Sequence, residues 1–377
     1  MKEGNSMNKQ KVEMMAKNLI NHSVALQKGE NLLIEMFDGG DELACALIEE
    51  AQKIGGNVFL TIKSNQMIRS LLMNCTEEQL KINAGFEAER MDKMDAYIAI
   101  RGSYNDFEFS DIPAEKMNMY QKLYMKPVHT DRRVPNTRWC VMGYPSPSFA
   151  QKAGMSSETF EDFYFNVCGL DYVKMGYAMD ELVKYMNKTD KVRIVAKDTD
   201  VSFSIKGYPA VKCFGRRNMP DGEVYAAPVV DSANGYITYN APCEYLGFVY
   251  ENIRFEFENG KIIKATGNND NKVNKVLDTD ANARFLGEFA VGINPCIKKP
   301  ITNTLFDEKM SGSLHLTPGN AYVASNNGNK SAIHWDLVQI HTQEYGGGEI
   351  WFDDILIRKD GIFVIDELKC LNPENLI

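Results

Sequence analysis

The chain of 377 residues contains no Cys-x-x-Cys pair. Its eight cysteines, Cys45, Cys75, Cys140, Cys168, Cys213, Cys243, Cys296 and Cys370, are widely scattered. That excludes a zinc ribbon or a dithiol redox motif. Several stand in apolar text such as Trp139-Cys140-Val141-Met142, which reads as buried, reduced thiols in a reducing compartment. Runs of basic residues are also absent, and the net charge is -9. A surface of that sign repels phosphate backbones, so nucleic acid is not an expected partner. Long apolar runs are missing too: 31–37 and 57–62 have the length of strands, not of membrane spans. The opening Met1-Lys2-Glu3-Gly4-Asn5-Ser6 lacks the apolar core of a signal peptide, so a cytoplasmic location and no membrane partner are expected. No internal repeat or low-complexity segment is seen. With 44% hydrophobic and 25% charged residues the chain is ordinary globular material, long enough for two domains or three small ones.

The first half alternates helical and strand patterns. Helices are predicted over 8–27, 41–54, 67–73 and 77–93, and strands over 32–37, 57–62, 95–100 and 138–142. Gly55-Gly56 stops the second helix. Such alternation predicts a parallel sheet with covered faces. Helical segments continue from 148 to about 188, with the aromatic cluster Phe160, Phe163, Tyr164 and Phe165 read as a core face. The pattern changes at Lys191, where β-branched and aromatic residues begin to alternate with polar ones. Strands are predicted over 192–195, 201–205, 235–239, 253–258, 261–266, 350–357 and 362–365, with an Asn259-Gly260 hairpin turn. In this half 271–289 reads as the clear helix. The expected architecture is an α/β N-terminal domain with a mainly parallel sheet (1–189) and an α+β, antiparallel-rich C-terminal domain (190–377).

Histidine is scarce, and its placement is informative. Of the five, His22, His129, His315, His334 and His341, the last three fall close together in the second half. Imidazole is the commonest metal ligand. His334 and Asp336 are two apart, so on extended backbone both leave the same face while Ile333, Trp335 and Leu337 take the other. Without further context, the same pair reads as an Asp orienting a surface His, and His315 between two leucines reads as a core histidine. Glu223 follows a Pro-Asp-Gly turn. Glu288 is placed late in the apolar helix, near the face of Phe285, where an inward carboxylate needs a cation or a partner. Taken alone, Glu223 reads as an exposed turn acid and Glu288 as a salt-bridged helix end.

A resemblance draws these residues together. The ordered segments 218–224, 277–280, 284–288, Leu305-Phe306-Asp307-Glu308-Lys309, Leu314-His315-Leu316, Gly319-Asn320-Ala321-Tyr322 and Ile333-His334-Trp335-Asp336 are similar to the thermophilic-type metalloaminopeptidase family, as are 137–140 and 150–155 in the first half. The resemblance implies a site for two divalent metal ions (zinc, cobalt, manganese or magnesium) held by Glu223, Glu288, His315, Tyr322, His334 and Asp336. It also implies a metal-activated water that attacks the first peptide bond of substrates with a free N-terminus. Tyr322, Glu223 and Glu288 are then the candidate catalytic groups: Tyr322 would stabilise the oxyanion, and either glutamate would carry the proton. The first domain is expected to cover the site and to contribute to a homodimer. Pro318 departs from the family pattern in the loop after His315. His341 has no role carried over, and Gly346-Gly347-Gly348 is too irregular for a phosphate loop and reads as a mobile segment at the site mouth.

Two other readings remain open. His315, His334 and Asp336 alone would make a two-His-one-carboxylate site for one Fe(II), as in ring-cleaving dioxygenases on a related scaffold; the two glutamates argue for two metals instead. A metal- or peptide-binding protein without turnover is the third, and the complete ligand set argues against it.

Overall fold

A computed structural model describes residues 2–377, with side chains from residue 9 onward. The reading of Met1 to Ser6 lies outside the residues whose side chains are described. No helix among the described residues is long and apolar enough to cross a membrane.

The chain divides into two compact units, residues 1–169 with 215–219, and residues 170–214 with 220–377. The expected boundary near 189 thus falls inside the second unit. The physical reason is the helix Tyr172–Lys188, which buries Tyr172, Met175, Met179, Leu182 and Met186. It packs on the strands Val211–Cys213 and Glu223–Ala226 and on the 3-10 turn Asp366–Leu371.

The first unit holds a parallel sheet in the order Asn57–Lys63, Asn31–Phe37, Ala96–Arg101, Arg138–Gly143, Asn218–Met219. Leu32, Leu33, Ile34 and the run Ala96 to Ile100 are all buried, as expected of central strands covered on both faces. The helix Asp41–Ile54 turns its Leu43, Ala44, Leu47 and Ala51 inward and ends at Gly55, whose φ of 85° suits only glycine well. Thr76 caps the helix Glu77–Met91 by accepting from the Gln79 amide. The predicted helix 8–27 begins and ends earlier than expected: Lys2–Asn18 is α-helical, and a wider π turn, Leu19–Ser23, closes it. Phe160, Tyr164 and Phe165 are buried, as the core reading required, with Phe163 half-buried.

The second unit contains an eight-stranded and a five-stranded sheet, both antiparallel. They face each other through Phe289, whose ring lies 5.1 Å from Phe203 and 6.4 Å from Phe352. The Asn259-Gly260 turn is present, with φ of 48° and 81°, and joins Arg254–Glu258 to Lys261–Thr266. Two expectations fail here. The predicted strand 350–357 is a hairpin, Gly348–Phe352 and Ile355–Lys359, turned by Asp353 and Asp354 in left-handed conformations. The predicted helix 271–289 is a helix only over Asp270–Leu277, and Leu286–Gly292 is a central strand. Every residue of that strand is buried, and a continuous apolar run fits a buried strand as well as a helix.

Candidate metal centre

The five-stranded sheet runs in the order Leu337–Ile340, Ser313–Pro318, Leu286–Gly292, Glu223–Ala226, Val211–Cys213. Its pairing places His315 opposite Ala290, Thr317 opposite Glu288, and Glu223 opposite Gly292. Phe289 on the alternate positions serves the core between the sheets, so Glu288 emerges on the other face. The small residues Ala290 and Gly292 leave room on that face between the longer polar side chains. Glu288 therefore sits on a strand and not near a helix end, and Phe285 does not share its face in the way the helical reading required. A bulge between Leu286 and Glu288 leaves Gly287 without a partner. A Cβ on Gly287 would stand 2.5 Å from the carbonyl oxygens of both Gly319 and Asn320. Bulges of this kind re-aim the neighbouring side chain.

His334 enters from an isolated bridge to Gly319, and Asp336 lies two residues on. Trp335 between them is buried, stacked on Tyr245 at 5.3 Å and edge-on to Tyr250 at 4.9 Å. The alternation read from His-x-Asp is therefore present, with Ile333, Trp335 and Leu337 buried on the opposite side. Pro318, the departure from the family pattern, is the last residue of its strand, and its carbonyl accepts from the Trp335 amide at 3.2 Å.

The carboxylates and imidazoles converge. His315 Nε2 lies 2.9 Å from Glu288 Oε1 and 3.6 Å from Glu223 Oε2. His334 Nε2 lies 3.2 Å from Asp336 Oδ1 and 4.0 Å from Glu288 Oε2. Three groups, each with ligand atoms within 4.8 Å of one another, overlap here: Glu223-Glu288-His315, Glu288-His334-Asp336 and Glu308-His315-Asp336. The first two share Glu288. Tyr322 is 46% exposed and borders the cluster through its ring, 4.4 Å from that of His334. Burial, with Asp336 and Glu288 nearby, pushes its phenol far above the ordinary value, so it carries its proton at neutral pH.

Several buried atoms here lack a hydrogen-bond partner: Glu223 Oε2, Glu288 Oε2, His315 Nδ1 and His334 Nε2. Such atoms are costly unless something else satisfies them. The Asn320 carbonyl, 2.7 Å from His334 Nδ1, calls for a proton on Nδ1 and leaves the Nε2 lone pair facing Asp336. Thr317 Oγ1 donates to Asp336 Oδ1 at 2.6 Å and orients that carboxylate. Hard carboxylates beside imidazoles suit a divalent cation, and of the unsatisfied atoms Glu223 Oε2, Glu288 Oε2 and His334 Nε2 lie in the cluster where such a cation would bind. The residues present therefore fit the group.

The electrostatics agree. Burial opposes charge on His315, yet the Glu288 hydrogen bond and the Glu223 and Asp336 carboxylates raise it to about 9. His334 is likewise opposed by burial but raised to about 10, chiefly by Asp336. Burial favours a neutral Asp336, and the two imidazoles overcome it, holding the carboxyl below its ordinary range. Burial raises Glu288, and it lifts Glu308 to about 8. The site draws protons onto its histidines because it has more negative charge than the protein alone balances.

Glu308, Lys309, Thr317 and Asn320 were not among the residues assigned to the site from sequence. Asp307-Glu308-Lys309 is a charged run beside Phe306 and Met310, all five buried, and that contrast was the available signal. His341 is buried and donates from Nε2 to Gln339 Oε1 at 2.9 Å, a structural role. Gly346 and Gly347 form a tight left-handed turn, and Gly348 packs on the His341 ring. These glycines thus build a fixed corner where the sequence reading placed a mobile segment at the site mouth.

Residues 8–349 match the thermophilic metalloprotease (M29) family. Aminopeptidase PepS of Streptococcus thermophilus is 25% identical over 382 residues, covering 88% of this chain and 92% of that protein. The structure of AmpT from Thermus thermophilus is similar in fold, with a TM-score of 0.78 and 22% identity over 95% of this chain and all of that one. A more distant fold likeness is 2,5-dihydroxypyridine dioxygenase from Pseudomonas putida KT2440, with a TM-score of 0.58 and 13% identity over 96% of this chain and 99% of that one. The chain belongs to the thermophilic metalloprotease (M29) family, hydrolases that cleave peptide bonds with the help of a divalent metal.

Proposed function

We propose that the chain is an aminopeptidase that removes the N-terminal residue of peptides at a two-metal centre held by Glu223, Glu288, His315, Tyr322, His334 and Asp336. The observation that carries this reading is that two ligand groups, Glu223-Glu288-His315 and Glu288-His334-Asp336, share Glu288. A shared carboxylate between two groups is what a pair of ions requires. The relatives' names, aminopeptidase PepS and AmpS among them, support the substrate class. When bound, the ions would supply an activated water and polarise the scissile carbonyl.

The chain's own residues do the rest. Glu288, on its bulged strand, spans the two groups. Asn320 and Thr317 hold His334 and Asp336 in their ligating orientations. Either Glu223 or Glu288 would also carry the proton from the nucleophile. Tyr322, protonated and at the rim, is the donor for the developing oxyanion. A homodimer is also proposed. The first unit exposes Leu71, Ile82 and Phe86 around one cavity at its helices Asn65–Met73 and Glu77–Met91, apolar surface that a second copy would cover.

The one-iron dioxygenase reading has the weaker geometry. His315 joins Asp336 in one group and His334 joins it in another, and no group among the described residues holds all three. The test measures metal content and release of N-terminal residues on one metal-reconstituted sample, beside Glu288→Ala. Two divalent ions per chain, with chelator-sensitive hydrolysis reduced at least about 100-fold in the variant, are expected. One iron per chain and no hydrolysis would overturn the proposal.

A further inference from the structure

Lys309 is a buried ammonium inside a group of acids. Its Nζ donates to Glu223 Oε1 at 2.5 Å and to Glu308 Oε1 at 2.6 Å. The segment that carries it passes directly over the central strand: a Cβ on Gly292 would stand 2.3 Å from the Met310 carbonyl oxygen and 2.9 Å from that of Glu308. Cys213, Asp221 and Glu223 bring three ligand atoms within 4.8 Å of one another, and Lys309 is near enough for its charge to act on the Cys213 thiol, which burial keeps protonated. Glu223 belongs both to this group and to the proposed metal centre, and its Oε2, without a hydrogen-bond partner, is the atom near His315.

We infer that Lys309 is a positioning residue that serves as a fixed third cation of the centre. By holding Glu223 through Oε1 it leaves Oε2 as the single ligating atom. By occupying the space between Glu223, Glu308, Asp221 and Cys213 it denies that space to a further metal ion. Two divalent ions over the three ligand carboxylates leave a small positive surplus, which suits a bound hydroxide. The inference rests on the two-metal reading above. It also gives Cys213 a meaning: a thiol beside a metal ligand that the lysine keeps out of the coordination sphere.

Removing the ammonium should therefore create a site. An ion entering there would take Cys213 as thiolate, the thiol proton passing to solvent. The experiment titrates metal-free protein with Co(II) alone, following uptake per chain and the near-ultraviolet thiolate-to-cobalt absorption. It compares wild type, Lys309→Met, Lys309→Gln and Lys309→Gln/Cys213→Ser, each first checked for native circular dichroism. Wild type should take two Co(II) without a thiolate band. The neutral variants should take one more and gain the band, and the double variant should lose the band. If the Met variant does not fold, the hydrogen-bonding Gln variant decides. A thiolate band in wild type, or a folded Lys309→Gln with two ions and no band, would overturn the role of Lys309 alone. A wild type that binds fewer than two ions would overturn the two-metal reading itself.

Discussion

Thr317 shows how much a single uncharged residue can do in this centre. Its hydroxyl touches no proposed substrate and is not a ligand. It donates to Asp336 Oδ1 and so fixes which oxygen faces His334. Groups that orient ligands in this way typically contribute about 10–100-fold to metal affinity, whereas a single hydrogen bond adds only about 1 kcal/mol to folding. Thr317→Val keeps the shape and removes the donor. Its metal affinity, measured by competition with a chelator, should fall by about that factor. Its denaturant midpoint without metal should move little. A large loss of stability with unchanged affinity would assign Thr317 to the core instead. The proposed ligand residues could be singled out in the sequence because their chemistry is unusual and their order matches a family. Thr317 was not, because threonine in a strand has many ordinary reasons to be there.

At the level of elements, the bulge at Gly287 does more than the strand that contains it. It offsets the pairing just before Glu288, where the backbone of Gly319 and Asn320 approaches too closely for any side chain. Gly287→Ala forces these backbones apart, and overpacking of this kind costs about 1–3 kcal/mol. Because Asn320 also holds His334, the variant should lose metal affinity as well as stability, which calorimetry with and without metal would resolve. The two facing sheets offer a contrasting case. Arg358 is wholly buried, directly opposite Ile350, and its three guanidinium nitrogens have no hydrogen-bond partner. Burial alone pulls it down to about 9, and the contact on its charge is the Phe363 ring, 5.9 Å from the guanidinium carbon. Replacing an uncompensated buried charge by an apolar chain of similar length is often neutral, or stabilising by about 1–4 kcal/mol. Arg358→Met should therefore unfold at equal or higher denaturant. A clear loss would show that the charge has a partner. Neither feature could be read from the sequence. The run containing Gly287 was taken for a helix because a fully buried strand shows no alternation, and Arg358 in a strand pattern looks like an outward residue.

For the molecule as a whole, the charge of the centre links stability to pH. In the metal-free protein His315 and His334 titrate near 9 and 10, above the ordinary 6.5, and Glu308 near 8, above 4.5. All three bind protons more tightly in the folded state. Their contribution is complete below the ordinary values and is lost as pH rises through the folded ones. The unfolding midpoint of metal-free protein should thus decline between about pH 7 and 10, a window set by these values. Divalent ions replace the protons, so the loaded protein should show a flatter profile over the same range. A metal-free profile that is flat or rises would contradict the electrostatics described here. The sequence by itself determined the parallel sheet of the first unit, the antiparallel character of the second, and the residues proposed for the centre. These follow from local periodicity, from the type of side chain and from their order along the chain. Only the tertiary structure decided that Glu288 lies on a strand, that Glu308 and Lys309 belong beside Glu223, and that the second unit begins at Leu170. Each of those depends on which backbones pass over one another, and burial and pairing between distant segments set that, not the pattern within any one of them.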